Sequence, residues 1–147
     1  MERLVLTAVV VLGIIIAFAF KGFFHKGIFI GLAISILLLW SDNQYIITSS
    51  FILFLILTIT TFIYGLTVKG ISKFEKIGII TMGLFLIINF LFKLLHFPGA
   101  NIMKLSMAVP IIITLASFLK GRKLTKEMSF MVVWLFYVIL EFISIWR

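Results

Sequence analysis

Residues 45–68 read YIITSSFILFLILTITTFIYGLTV and decide the fold. The run from Tyr45 to Val68 carries no charged side chain, and about 20 apolar residues in an α-helix are enough to cross the hydrocarbon core of a bilayer. Within that core each backbone N–H and C=O group must be satisfied inside the segment itself, which an α-helix achieves. The run therefore predicts a transmembrane helix.

Five more apolar segments lie on either side of this run. Most are close to one bilayer span in length, but Gly27–Trp40 is short, and it either borrows residues from its flanks or crosses only half of the membrane. We predict an all-α polytopic membrane helix bundle of about six transmembrane helices, with four or five full spans as the alternative. The predicted segments are Leu4–Phe24, Gly27–Trp40, Tyr45–Val68, Ile77–Leu95, Ile102–Leu119 and Met128–Trp146.

The composition is that of one membrane domain. Hydrophobic residues make up 63% of the 147 positions and charged residues 12%, whereas soluble domains contain about 45–50% and 25%. No stretch reads as a linker, so a single transmembrane domain over residues 1–147 is predicted, surrounded by the lipid bilayer. The absence of cysteine from the sequence excludes structural disulfides. The first segment, with Ala17-Phe18-Ala19, also fits a secretory signal, but the next segment follows almost at once, so we interpret it as a retained helix.

The positions of the cations predict the orientation, because Lys and Arg are enriched in short cytoplasmic loops. With six spans, nine of the 13 cations lie on the side of the first, third and fifth loops, which places both termini outside the cytoplasm. These cations stand singly or in small groups between apolar segments, so they predict contact with a membrane surface rather than with nucleic acid. The nine are Lys21, Lys26, Lys69, Lys73, Lys76, Lys120, Arg122, Lys123 and Lys126, and the other four are Arg3, Lys93, Lys104 and Arg147.

A short internal repeat relates the two halves of the chain. A Phe-Lys pair with a glycine six residues after the lysine occurs at Lys21 and again at Lys93, an offset of 72 residues. Three spans per half would make the half-repeats 1–73 and 74–147 inverted with respect to the membrane, as in many secondary transporters. The alternative is that Phe, Lys and Gly recur because each helix end needs interfacial anchors and a turn.

The most specific motif connects the fourth and fifth segments, where Leu91–Met103 reads LFKLLHFPGANIM. Pro98 and Gly99 suit the central positions of a type II turn, since proline fixes the first φ and glycine accepts the positive second φ. His96 and Phe97 are amphipathic enough for the headgroup level of a membrane. The motif predicts a tight interfacial hairpin, with a ligand-binding, gating or pH-sensing role for His96 as the alternative.

This hairpin resembles that of GldL, the inner-membrane gliding and type 9 secretion motor protein of Bacteroidota, whose two helices are joined by a Phe-Lys-x-x-His-Trp-Pro-Gly-Ala turn. The resemblance covers about 30 residues, and Phe97 stands where the family has Trp. It implies a bacterial inner (cytoplasmic) membrane protein with this turn on the periplasmic side, in agreement with the distribution of cations. The residues that match the motif are Lys93, His96, Pro98, Gly99 and Ala100.

The motor function of that family does not carry over to this sequence. The resemblance would imply an essential glutamate in the helix after the turn, where Met107–Ile113 contains no acid, and the family's long cytoplasmic tail has no counterpart. A proton-driven motor needs an ionisable group at membrane depth. The resemblance therefore implies the hairpin as a structural unit.

Few polar groups are predicted at membrane depth. Asn89 and Glu141 are the intramembrane polar candidates, and an ionisable residue in a span is a functional candidate by default. Glu141 lies near the end of its segment, where interfacial solvation or pairing with Arg147 is the simpler interpretation. Pro110 predicts a kink in the fifth helix, because it removes a backbone donor and crowds the preceding turn.

The sequence contains no pattern typical of an enzyme. The two histidines are far apart, and there is no acid pair at a useful spacing, no phosphate-binding loop and no cluster with metal-ligand spacing. We therefore predict no enzymatic activity and no catalytic, cofactor-binding or metal site. The sequence favours a non-catalytic subunit of an envelope complex that docks other integral membrane proteins. The alternatives are a small transporter or channel, and a membrane-embedded toxin-immunity protein.

Overall fold

The computed structural model describes residues 11, 15, 22–95, 98–120 and 125–143. Every regular element in these ranges is helical, so the all-α prediction is confirmed for the described residues. The predicted first segment, Leu4–Phe24, lies largely outside them. The described helices are α1 (Phe23–Leu38), α2 (Gln44–Thr67), α3 (Lys73–Leu94), α4 (Ala100–Ser106), α5 (Ala108–Lys120) and α6 (Lys126–Ile143).

Three helical stretches in the described residues are long and apolar enough to cross a membrane. They are Gln44–Thr67, Lys73–Phe92 and Ile102–Lys120, with mean hydropathies of 2.4, 1.8 and 2.0. The other apolar helices are shorter: α1 has 16 residues, about 24 Å at the usual helical rise, against a hydrocarbon core of about 30 Å. The described part of the chain thus has three helical stretches that are able to cross a membrane by length and composition, and six spans stays a prediction.

The chain divides into two compact units, Met1–Leu57 and Thr58–Arg147. In the first unit, α1 packs on the first part of α2 through small residues. The Ser35 hydroxyl donates to the Ser50 carbonyl at 3.0 Å, and the Ser50 hydroxyl donates to the Ser35 carbonyl at 2.6 Å. Gly31 faces Leu57 so closely that a Cβ atom at Gly31 would lie 2.8 Å from the leucine side chain. Small side chains of this kind let helix backbones approach each other in a membrane.

The second unit is built around α3. Its centre is fully buried at Ile79 and Met82, and Gly83 packs directly on α2, since a Cβ atom there would lie 2.8 Å from the Phe62 Cα atom. Phe62 of α2 lies against Gly83 of α3, and Gly65, further along α2, lies against Ile80, which comes earlier in α3. The two helices therefore run antiparallel. On another side of α3, α5 and α6 pack against it, with the buried side chains Phe130, Met131, Trp134 and Val138 of α6 in the core.

The predicted fifth segment, Ile102–Leu119, consists of two helices in the structure. The α-helical hydrogen-bond pattern is interrupted at Met107, between α4 and α5, where the Met107 N–H donates to the Lys104 carbonyl at 3.1 Å, one residue short of that pattern. Pro110, which is buried, has no N–H to donate to the Ser106 carbonyl one turn earlier. The interruption therefore lies on the N-terminal side of the proline, where its ring crowds the preceding turn.

Candidate functional site

Two buried glutamates lie at the beginnings of helices in the second unit. Glu75 is in the first turn of α3 and Glu127 in the first turn of α6, with 4% and 1% of their surface exposed. Carboxylates are almost never buried to this extent unless hydrogen-bonded, because the cost of taking a charge out of water must be offset. The partners of these two side chains therefore define the site.

Glu75 is held by the residues that begin its own helix. The Ser72 N–H donates to Glu75 Oε2 at 2.9 Å, and the Glu75 N–H donates to the Ser72 hydroxyl at 3.2 Å. This reciprocal pair is a capping box, which satisfies two backbone donors at the beginning of α3. The Thr125 hydroxyl donates to the other oxygen, Glu75 Oε1. Glu75 thus joins the beginning of α3 to the residue that precedes α6.

Glu127 is held from the last turns of α2. The Tyr64 hydroxyl donates to Glu127 Oε1 at 2.9 Å, and the tyrosine ring packs edge-on against Phe130, with 6.1 Å between ring centroids. A carboxylate at the N-terminal end of a helix is also favoured by the helix dipole. Glu127 thus joins the end of α2 to the beginning of α6.

Together these residues form what we call the glutamate clamp. Its two carboxylates accept hydrogen bonds from three chain segments and hold the end of α2 and the beginnings of α3 and α6 together. Within the described ranges, no group of three or more His, Cys, Asp or Glu side chains comes together in a way that could hold a metal ion. The predictions of no catalytic, cofactor-binding or metal site stay predictions. The clamp consists of Tyr64, Ser72, Glu75, Thr125 and Glu127.

The sequence carries one local signal for the clamp. The pattern Ser72-x-x-Glu75 directly before an apolar run is the signature of a capping box. Neither glutamate is among the residues predicted from sequence, because each lies just outside an apolar segment and resembles an ordinary loop charge. Their partners Thr125 and Tyr64 are 50 and 63 residues away in sequence, so no local pattern predicts the contacts.

The structure describes the hairpin motif in part. Pro98 and Gly99 form an exposed turn, and Gly99, with φ 98° and ψ 9°, is the N-cap of α4. This positive φ is the one that a type II turn requires of its glycine. His96 and Phe97 lie outside the described residues. Lys93 and Ala100 are in helices whose backbone alone is described at these positions, so the contacts of these side chains lie outside the described structure.

The predicted intramembrane polar residues differ in their surroundings. Asn89 is 1% exposed in α3, and in the described part of the chain no group donates a hydrogen bond to its Oδ1. Thr114 of α5, fully buried, has a hydroxyl without a hydrogen-bond partner among the same residues. Glu141 belongs to α6, and its side chain lies outside the described part.

Comparison of the chain with protein-family models, with curated proteins and with solved structures finds no match. The fold itself defines a class: a chain whose described elements are all helical, with three stretches long and apolar enough to cross a membrane and the glutamate clamp in its second unit.

Proposed function

We propose that this protein is a non-catalytic, multi-pass subunit of a bacterial inner-membrane complex of the secretion, motility or energy-transduction type. Its transmembrane helices dock against those of larger partner proteins. The resemblance of the Leu91–Met103 hairpin to GldL supports a bacterial inner membrane and the phylum Bacteroidota. With six spans, the distribution of cations supports a periplasmic position for both termini.

The observation that carries this proposal is the uncovered surface of α4 and α5. The candidate span Ile102–Lys120 is the least buried of the three, at 22%, against 28% for Gln44–Thr67 and 44% for Lys73–Phe92. The exposed side chains repeat mostly at intervals of three and four residues, which places them on one continuous face of this stretch. Such a face is suited to knobs-into-holes packing with a further helix, since membrane helices associate by close packing rather than by hydrophobicity. The face consists of Ile102, Leu105, Val109, Ile112, Leu115 and Leu119.

The test is to extract the full chain from its native membrane at its endogenous level with a gentle detergent and to identify bound proteins by mass spectrometry. We expect stoichiometric recovery of one or a few larger membrane proteins. Replacement of Ile112, 64% exposed, by Trp would place a large ring in the docking face and abolish this recovery. Phe136→Trp, at a 47% exposed position of α6, is the matched control. Recovery of the parent chain alone, as a monomer or homo-oligomer, would contradict the proposal.

A second function, a small transporter or channel, is favoured by a separate observation. Asn89 and Thr114 place polar oxygens inside the second unit, where they lie among apolar core side chains. Polar groups at membrane depth are typical of substrate and ion pathways. Under this alternative the purified chain alone conducts a solute or ion in proteoliposomes, and Asn89→Leu abolishes the flux. Under the subunit proposal the chain alone conducts nothing.

A further inference from the structure

The ammonium group of Lys120, at the end of α5, lies over the ring of Phe74 at the beginning of α3. The Lys120 Nζ atom is 3.9 Å from the ring centroid, a distance at which a cation is attracted to the face of an aromatic ring. A second contact joins the same two helices, because the Ser117 hydroxyl of α5 donates to the Phe74 carbonyl of α3 at 3.1 Å. Phe74 is nevertheless 45% exposed, and Lys120 is exposed as well. A lysine is thus held in place on an open surface.

The carboxylates at this end of the unit face inward. Glu75, next to Phe74 in sequence, is buried and bound by Ser72 and Thr125, and Glu127 is buried and bound by Tyr64. Their hydrogen bonds hold both acids inside the unit and away from its surface. Among the described residues, the exposed charges here are therefore positive: Lys69, Lys73 and Lys120.

An apolar track leads away from these lysines along α3. Phe74, Ile77 and Leu84 are 45%, 48% and 40% exposed, and they lie on one side of the helix. Thr81 lies between Ile77 and Leu84 on this side, with its hydroxyl donating to the Ile77 carbonyl at 2.8 Å. Ten residues of helix, from Phe74 to Leu84, extend about 15 Å, which is close to half of the roughly 30 Å hydrocarbon core. The track therefore has the length of one leaflet and begins at the cations.

We propose that Lys73 and Lys120, the latter positioned by the ring of Phe74, bind the headgroup phosphate of an anionic glycerophospholipid, whose acyl chain lies along Ile77 and Leu84. Exposed cations at one end of an apolar track of one leaflet's length match a charged headgroup with its acyl chain. Lys120 is followed in sequence by Arg122 and Lys123, which add positive charge to the same segment. The site goes beyond the proposed function, because it takes a lipid and not a protein partner, and it holds whichever complex the chain joins.

The test uses the full chain, purified in an uncharged detergent and offered equal amounts of phosphatidylglycerol and phosphatidylcholine, with bound lipid counted by native mass spectrometry. We expect phosphatidylglycerol to be retained preferentially. Since a lysine at an anionic surface accounts for about a fivefold effect, Lys120→Gln and Lys73→Gln should each lower the preference about fivefold. Phe74→Leu, which keeps the apolar track but removes the aromatic face, should lower it as well. Lys104→Gln removes one charge from α4 and is the matched control.

Several outcomes would overturn the proposal. A preference unchanged in Lys120→Gln and Phe74→Leu would mean that the lysine and the ring do not form the site. Equal losses in Lys104→Gln and Lys120→Gln would mean that net charge alone attracts the lipid. Displacement of phosphatidylglycerol by inorganic phosphate would mean a site for a free anion without an acyl chain. Because both lysines at the site are exposed, the Gln variants should keep the parent's melting temperature, which makes a binding loss separable from a folding defect.

Discussion

The hydroxyl of Tyr64 donates a hydrogen bond of 2.9 Å to the carboxylate of Glu127, 63 residues later in the chain. The two residues lie near the end of α2 and at the beginning of α6, so one hydrogen bond connects helices that are far apart in sequence. The bond belongs to the glutamate clamp, whose hydrogen bonds connect the end of α2 with the beginnings of α3 and α6.

The first prediction concerns that bond. Tyr64→Phe removes the donor and keeps the ring on Phe130, and hydrogen bonds to charged groups are worth about 1.5–3 kcal/mol. We expect the free energy of unfolding in detergent micelles to fall by about that amount. Tyr45→Phe changes a tyrosine of the same helix that is 86% exposed, and it should have no effect. Equal stability of the two variants would show that the Tyr64 hydroxyl does not support the fold.

The second prediction concerns the contact between Glu75 and Thr125. A double-mutant cycle with Glu75→Ala and Thr125→Val should give a coupling free energy of about 0.5–3 kcal/mol, because the two side chains share a hydrogen bond. The measurement is the free energy of unfolding of the parent, the two single variants and the double variant. The control cycle combines Glu75→Ala with Thr48→Val. The Thr48 hydroxyl donates to the Gln44 carbonyl of its own helix, so the effects of these two substitutions on the free energy of unfolding should be additive. If both cycles are additive, the Thr125 hydroxyl does not contribute to the stability of the clamp.

The third prediction concerns the turn before α4. Gly99 has φ 98°, and nothing lies within 4 Å of a Cβ atom built there, so a side chain is opposed by backbone strain and not by a clash. Gly99→Val should lower the free energy of unfolding by about 1–2 kcal/mol or more, and Gly99→Asn by less, since asparagine tolerates the left-handed region. Gly27→Ala is the control, because Gly27 lies inside α1 with equal space around it, and alanine favours a helix. A Gly99→Val protein that assembles and melts like the parent would show that the turn has another geometry.

The fourth prediction separates packing from transport at Thr114. Thr114→Val keeps the shape and removes a buried hydroxyl that has no partner in the described structure, so stability should be unchanged or rise by about 1 kcal/mol. Ser117→Ala, which removes a hydroxyl bonded to the Phe74 carbonyl, should lower stability by about 1 kcal/mol. A Thr114→Val protein that folds normally but fails in the cell would favour the transporter or channel alternative over the subunit.

The long apolar helix was the part of the fold that could best be predicted from sequence. The predicted span Tyr45–Val68 corresponds to the helix Gln44–Thr67, because the charge-free apolar run has a clear beginning and a clear end in the sequence. The predicted apolar segments begin at Ile77 and Met128, and the helices that contain them begin four and two residues earlier, at Lys73 and Lys126. A helix begins at its cap and not at its first apolar residue, and the capping residues here are polar or charged.

The candidate site could be predicted only in part. Asn89 was recognised as an intramembrane polar residue from its position in an apolar segment, and the structure shows it buried in α3. Glu75 and Glu127 could not be recognised in the same way, because what distinguishes them from loop charges is burial against Thr125 and Tyr64. That burial depends on how three helices pack, which no local pattern encodes.

The central claim, that the face of α4 and α5 docks a partner helix, is tested most directly by site-specific photocrosslinking in native membranes. A benzophenone amino acid placed at Ile112 should crosslink in high yield to one larger membrane protein, because this position is 64% exposed in the chain itself. The same probe at Phe136, 47% exposed on α6, should crosslink to lipid alone. Lipid adducts alone at both positions, in membranes where the chain is functional, would contradict the account.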